Sequence, residues 1–258
     1  MKTKYSTRII SIILSLPIIF SCAIQTNAQD CLHWYLKRTR TGTPTFPKEA
    51  EELGKYNAIY IDENVDELNK KIYLTFDAGY ENGNIEKILD TLRNENVSAA
   101  FFLLDNIILK NTDLVIRMAN EGHLVCNHTK NHKNLSFASE NEISNNLKAL
   151  EKLYEEKTGR EMARYFRFPE GKYSIDALQK VQNLGYTTVF WSFAYDDWDN
   201  NRQYAPEKAI KKVLDNTHNG AIMLFHPTSD TNAEIFPTLI KEWKKMGYSF
   251  GTLDELNK

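Results

Sequence analysis

The sequence predicts an α/β protein built on one parallel sheet of about seven strands, and three observations predict it. From Lys71 onward, short runs rich in β-branched and aromatic residues alternate strictly with longer amphipathic segments. The short runs are apolar almost throughout, as strands covered on both faces must be. Ionisable residues stand at the carboxyl ends of five runs, where a parallel α/β barrel assembles its site.

Residues 1-28 read as a secretory leader: Lys2, Lys4 and Arg8 precede an apolar run from Ile9 to Ile19, and small or polar residues follow up to Ala28. Cleavage there changes 32 basic against 34 acidic residues into 29 against 34, so the formal charge moves from -2 to -5. Ser21 and Cys22 permit a second reading, with Cys22 lipidated as the first residue of an anchored protein, and a retained anchor helix is a third. Each places the bulk of the chain outside the cytoplasmic membrane. Without a basic surface, nucleic acid is excluded as a partner class. Cys31 and Cys126 are expected as free thiols.

Residues 29-65 show no period and read as an extended arm. The domain follows at 66-258. Strands are expected at 71-77, 98-104, 123-127, 163-168, 186-191, 221-226 and 247-251. The helices between them are expected at 84-95, 112-121, 139-157, 174-184, 205-216 and 231-246, several stopped by a glycine such as Gly159. A closed barrel and an open doubly wound sheet both fit this order. A GxGxxG after the first strand is absent, which disfavours a dinucleotide fold.

The polar residues at the strand ends form a set of chemical parts. Asp77 in LTFDAGY is a carboxylate at the tip of an apolar strand, suited to a general base. His128 and His132 in NHTKNH are four apart and, on a helical turn, can share a cation. Arg167, held extended before Phe168 and Pro169, can lower the pKa of a neighbouring carboxylate. In WSFAYDDWD the ring of Trp198 suits a cleft that stacks on sugars, and Asp197 can orient a histidine. His226, after four apolar residues, then becomes a proton donor. GxSxG is absent, so activated water is the expected nucleophile of a metal-assisted hydrolase acting on an amide or ester.

These motifs resemble the polysaccharide deacetylase family with its NodB homology domain. TFDAG at 75-79, HTKNH at 128-132, RFPEG at 167-171, DW at 197-198 and LFH at 224-226 occur in the family's order. The resemblance implies a distorted (β/α) barrel and an attack of water on an N-acetyl carbonyl. Asp77 would be the base, held by Arg167, and His226 the acid, oriented by Asp197. His128 and His132 would carry a divalent metal such as Zn2+. Tyr80, Glu170, Gly171 and Trp198 would contact the substrate, with the Glu170 backbone N–H holding the oxyanion. The family's second aspartate, a metal ligand, is Ala78 here, which leaves two imidazoles unless Glu81 steps in.

TFDAGYENGN, Ala194 and WSFAYDDW look most like the delta-lactam-biosynthetic de-N-acetylases of spore formers. That branch implies N-acetylmuramic acid of peptide-stripped peptidoglycan strands as the substrate, an amidase acting first, and the muramic delta-lactam of spore cortex as the outcome. The alternatives are an N-acetylglucosamine deacetylase and an inactive wall-binding module.

Overall fold

The computed structural model describes residues 30–39, 42–65 and 68–256; the leader and Cys22 lie outside the described residues. Strand β1 (Leu32–His33) and β2 (Ala58–Ile59) flank a 3-10 turn over Lys48–Tyr56. The alternating part follows as β3 (Lys71–Ala78), α1 (Asn84–Glu95), β4 (Ala100–Leu103), α2 (Asp105–Lys110), α3 (Thr112–Asn120), β5 (Leu124–Asn127), α4 (Glu140–Thr158) and β6 (Tyr165–Phe166). It continues with β7 (Lys172–Tyr173), α5 (Ile175–Asn183), β8 (Thr187–Val189), α6 (Pro206–Asp215), β9 (Ala221–Phe225), α7 (Asp230–Lys245) and β10 (Ser249–Gly251).

The sheet runs β10-β3-β4-β5-β6-β8-β2, with β9 on β3, and every pair in it is parallel. The sheet curls back on itself. Phe193, just past β8, bridges Met223 of β9, and its carbonyl accepts the N–H of Leu224 at 2.8 Å. Below that closure β2 fills the gap, pairing with β8 while Ile61 bridges Ala221. The result is the distorted barrel, with eight strands rather than about seven. The extra strand is β2, two residues long, which is too short to show a period in sequence.

All six expected helices are present, and their ends follow local chemistry. Ser139 and Glu142 close a capping box at the start of α4, and Gly159, at φ 68, ends it in the left-handed region. The additional helix α2 has only six residues. Helices on the outside and apolar strands inside meet in a core where Phe76 stacks on Phe101 at 4.9 Å and meets Phe236 at 5.2 Å.

The described part of residues 29-65 packs against the domain. β1 pairs antiparallel with β7, Leu32 opposite Tyr173 and His33 opposite Lys172. Trp34 is buried against Phe190, with ring centroids 4.8 Å apart. Cys31 and Cys126 are free. No helix among the described residues is long and apolar enough to cross a membrane.

Candidate active site

A cleft of about 190 Å³ opens at the carboxyl ends of the strands, lined by Asp77, Ala78, Gly79, Tyr80, Leu104, His128, His132, Trp198, His226 and Thr228. Six of the residues singled out in the sequence meet there. Two more, Arg167 and Asp197, stand directly behind it.

Asp77 sits on one wall. Arg167, fully buried, donates from Nη1 to its Oδ1 at 2.8 Å. The rest of the guanidinium donates to Thr75 Oγ1 at 3.0 Å and to the carbonyls of Val189 and Phe190 at 2.9 and 3.3 Å, over the Phe102 ring. Burial works to raise the Asp77 carboxyl, but His128, Arg167 and His226 outweigh it and hold it below the usual range. Asp77 is thus a carboxylate at neutral pH, with one oxygen fixed and the other facing the cleft.

His226 lines the same cleft. Its Nδ1–H donates to Asp197 Oδ1 at 2.7 Å, and its backbone N–H donates to Oδ2 at 2.8 Å. Asn232 adds a third donor to Asp197, at 2.6 Å, and is itself held by the Tyr195 hydroxyl. Burial alone would lower the His226 pKa; the charge and hydrogen bond of Asp197, with Asp77 behind, raise it above the ordinary value. That fixes the tautomer and leaves Nε2 to carry a proton toward the cleft.

His128 and His132 meet with ring centroids 5.1 Å apart. A helical turn does not bring them together, contrary to the expectation from spacing. Residues 128-132 form a loop in which Thr129 (φ 70) and His132 (φ 58) are both left-handed, a conformation found where surrounding structure imposes it. His128 Nδ1–H donates to the carbonyl of Arg167 at 2.9 Å, so its Nε2 carries a lone pair, 3.5 Å from Asp77 Oδ2. Burial pushes His128 down to about 4, so the ring is neutral near pH 7.

A neutral imidazole with its lone pair beside a carboxylate fits a divalent cation. His128 and His132 are the residues that would hold it. Among the described residues no group of three or more His, Cys, Asp or Glu side chains surrounds one point. Ala78 supplies only a methyl, and the Glu81 carboxylate is engaged elsewhere, accepting the N–H of Gly83 and, at 3.1 Å, that of Ile85 at the start of α1.

Tyr80 and Trp198 form the rim, 47% and 64% exposed, and Asn200 donates to the Tyr80 hydroxyl at 2.8 Å. Glu170 and Gly171 lie on the turn after Arg167, both left-handed at φ 57 and 63. A Cβ at Gly171 would come within 2.9 Å of Trp191 and 3.0 Å of Trp34, so only glycine fits. Trp34 fixes this turn: its backbone N–H donates to the Gly171 carbonyl and its indole N–H to the Trp191 carbonyl, both at 2.8 Å. Arg38 donates to the Ala194 carbonyl at 2.7 Å, so the N-terminal segment braces both loops behind the cleft. Sequence reasoning missed Trp34, Thr75 and Asn232, because a partner of a site residue carries no pattern of its own.

The model of the family described as polysaccharide deacetylase matches residues 64–189. The peptidoglycan-N-acetylmuramic acid deacetylase PdaA of Bacillus subtilis is 35% identical over 229 residues, 87% of this chain and 85% of its own length. This chain belongs to the polysaccharide deacetylase family. A Geobacillus stearothermophilus protein, described as an uncharacterised 30.6 kDa protein, is 38% identical over 239 residues, 92% of this chain and 89% of its own. The solved structure of PdaA, titled a family 4 carbohydrate esterase, superimposes with a TM-score of 0.83 at 35% identity, covering 88% of this chain and 97% of that one. The site is therefore that of a carbohydrate N-deacetylase, a hydrolase of the amide bond. The family model ends before Asp197 and His226, and the geometry joins them as the acid side of the cleft.

Proposed function

We propose that this chain removes the acetyl group of N-acetylmuramic acid in peptidoglycan strands whose stem peptides have been cut away. One observation carries the reading: Asp77 and His226 line one cleft, each with its own buried partner. A carboxylate held ionised and an imidazole held protonated are the base and acid that amide hydrolysis by water needs. The likeness to PdaA over most of both chains supports muramic acid as the sugar.

Asp77 takes a proton from water as its oxygen attacks the acetyl carbonyl carbon. The backbone N–H of Glu170 receives the developing oxyanion. His226 gives its proton to the sugar nitrogen as the C–N bond breaks, and acetate and a free amine result. A divalent cation at His128 and His132, zinc by ligand preference, would polarise the acetyl oxygen. Tyr80 and Trp198 present ring faces on which a sugar can stack.

The freed amine and the lactyl carboxyl of the same sugar then close with loss of water to the muramic delta-lactam of spore cortex. An amidase that strips the stem peptide must act first, because the carboxyl is otherwise tied up as an amide. The leader at 1-28 would export the protein to the cell wall or the space between the spore membranes, cleaved after Ala28 or retained as an anchor or through Cys22.

The test is mass spectrometry of peptide-free glycan strands treated with the protein, with and without chelator. Acetyl lost from muramic acid, followed by loss of water, is the expected result. Acetyl lost from glucosamine instead, or from neither sugar under any metal, would overturn the reading.

A further inference from the structure

Amide hydrolysis accounts for the floor of the cleft but leaves one basic group on the strand after the Glu170 turn without a task. Lys172 begins β7, two residues past the Glu170 turn, and its ammonium lies 2.6 Å from the Glu170 carboxylate. Both side chains remain open to water, at 29% and 55% exposure. The antiparallel register sets His33 of β1 opposite Lys172. The Lys172 ammonium, with His132 and His33 adding to it, holds the Glu170 carboxyl below its usual range in spite of some burial. The Lys172 ammonium thus pairs with a carboxylate on the turn that follows Arg167.

Behind the cleft, Arg167 is already committed, buried and making four hydrogen bonds. The chain as a whole carries a formal charge of -2, so an anionic sugar gains nothing from the overall field. Muramic acid differs from glucosamine by a lactyl ether, whose carboxylate is free only once the peptide has gone. We propose that Lys172 is the specificity-determining residue that receives this lactyl carboxylate, and that Glu170 occupies its place until the sugar binds. The inference rests on the muramic acid reading above. An exposed ion pair contributes little to stability, so exchanging one carboxylate for another costs little. A strand still carrying peptide offers a neutral amide there and loses the contact.

The experiment compares steady-state kinetics of the wild type, Lys172→Gln and Glu170→Gln on peptide-free strands and on the same strands with the lactyl carboxyls converted to methyl esters. N-acetylglucosamine oligomers serve as a third substrate. Lys172→Gln should raise KM on the free-acid strands by roughly tenfold with kcat within about twofold. Glu170→Gln should lower KM on those strands, and on the esterified strands wild type and Lys172→Gln should coincide. Equal losses by Lys172→Gln on free-acid and esterified strands, or no loss on either, would overturn the role of Lys172 while leaving the muramic acid reading standing. If the wild type deacetylates only the glucosamine oligomers, the reading itself falls and the role of Lys172 falls with it.

Discussion

His123 and His128 stand at the two ends of β5, both buried and both pushed down by burial to about 4, yet they are bonded in opposite senses. His123 Nδ1 accepts the N–H of Ala99 at 3.2 Å, so its proton sits on Nε2, which finds no hydrogen-bond partner among the described residues. His128 Nδ1–H donates to a carbonyl, so its Nε2 lone pair faces Asp77 and the cleft. Burial and a lowered pKa thus fail to separate a packed histidine from a working one. The end of the strand, and the tautomer that its neighbours impose, do separate them.

The sharpest way to break this comparison is at the carboxyl end. Asp77→Asn keeps the shape and removes the base, and should lower kcat on peptide-free strands by about 10²–10⁴-fold. An unchanged kcat would move the chemistry elsewhere. Arg167→Ala strips the buried partner of Asp77 and four hydrogen bonds, and should cost about 3–5 kcal/mol in denaturant unfolding as well as activity. Trp34→Phe keeps the ring and deletes the indole N–H that holds the Trp191 carbonyl, and should cost about 1 kcal/mol. If Trp34 fixes the oxyanion turn, that loss shows in kcat more than in KM.

At the amino end the effect is smaller and concerns stability alone. The unfolded chain protonates His123 near its ordinary value, whereas the folded chain refuses the proton until about 4. Stability must therefore fall as pH drops below about 6.5, to which His128 and His218, also lowered, contribute. His123→Gln should flatten that fall in thermal scans between neutral and acid pH and leave kcat within about twofold. A large kcat loss would abolish the distinction between the two ends.

The parts of this account that sequence supports are those with a repeat or a fixed partner chemistry. Apolar strand runs and capped helices are written in windows long enough to show a period, and Asp77, Arg167, Asp197 and His226 stand out because polar residues at apolar strand ends are unusual. β2 and α2 are too short to show a period. The spacing of His128 and His132 suggested a helix because residues four apart lie on one helix face; two left-handed residues bring the rings together instead. Glu81 looked available as a ligand, but a carboxylate three residues before a helix finds the free N–H groups there. Lys172 has no motif, and its position follows only from the turn at Glu170 and the pairing with β1.

The division of the cleft into an ionised base and a protonated acid is tested most directly by the pH profile of kcat/KM on peptide-free strands, for the wild type and Asp197→Asn. The wild type should give a bell whose acid limb, set by Asp77, lies below the ordinary carboxylate range and whose alkaline limb, set by His226, lies above the ordinary histidine value. In Asp197→Asn, burial is no longer opposed by that charge, so the alkaline limb should move down. An alkaline limb that stays in place in the variant would contradict the assignment of His226 as the acid held by Asp197.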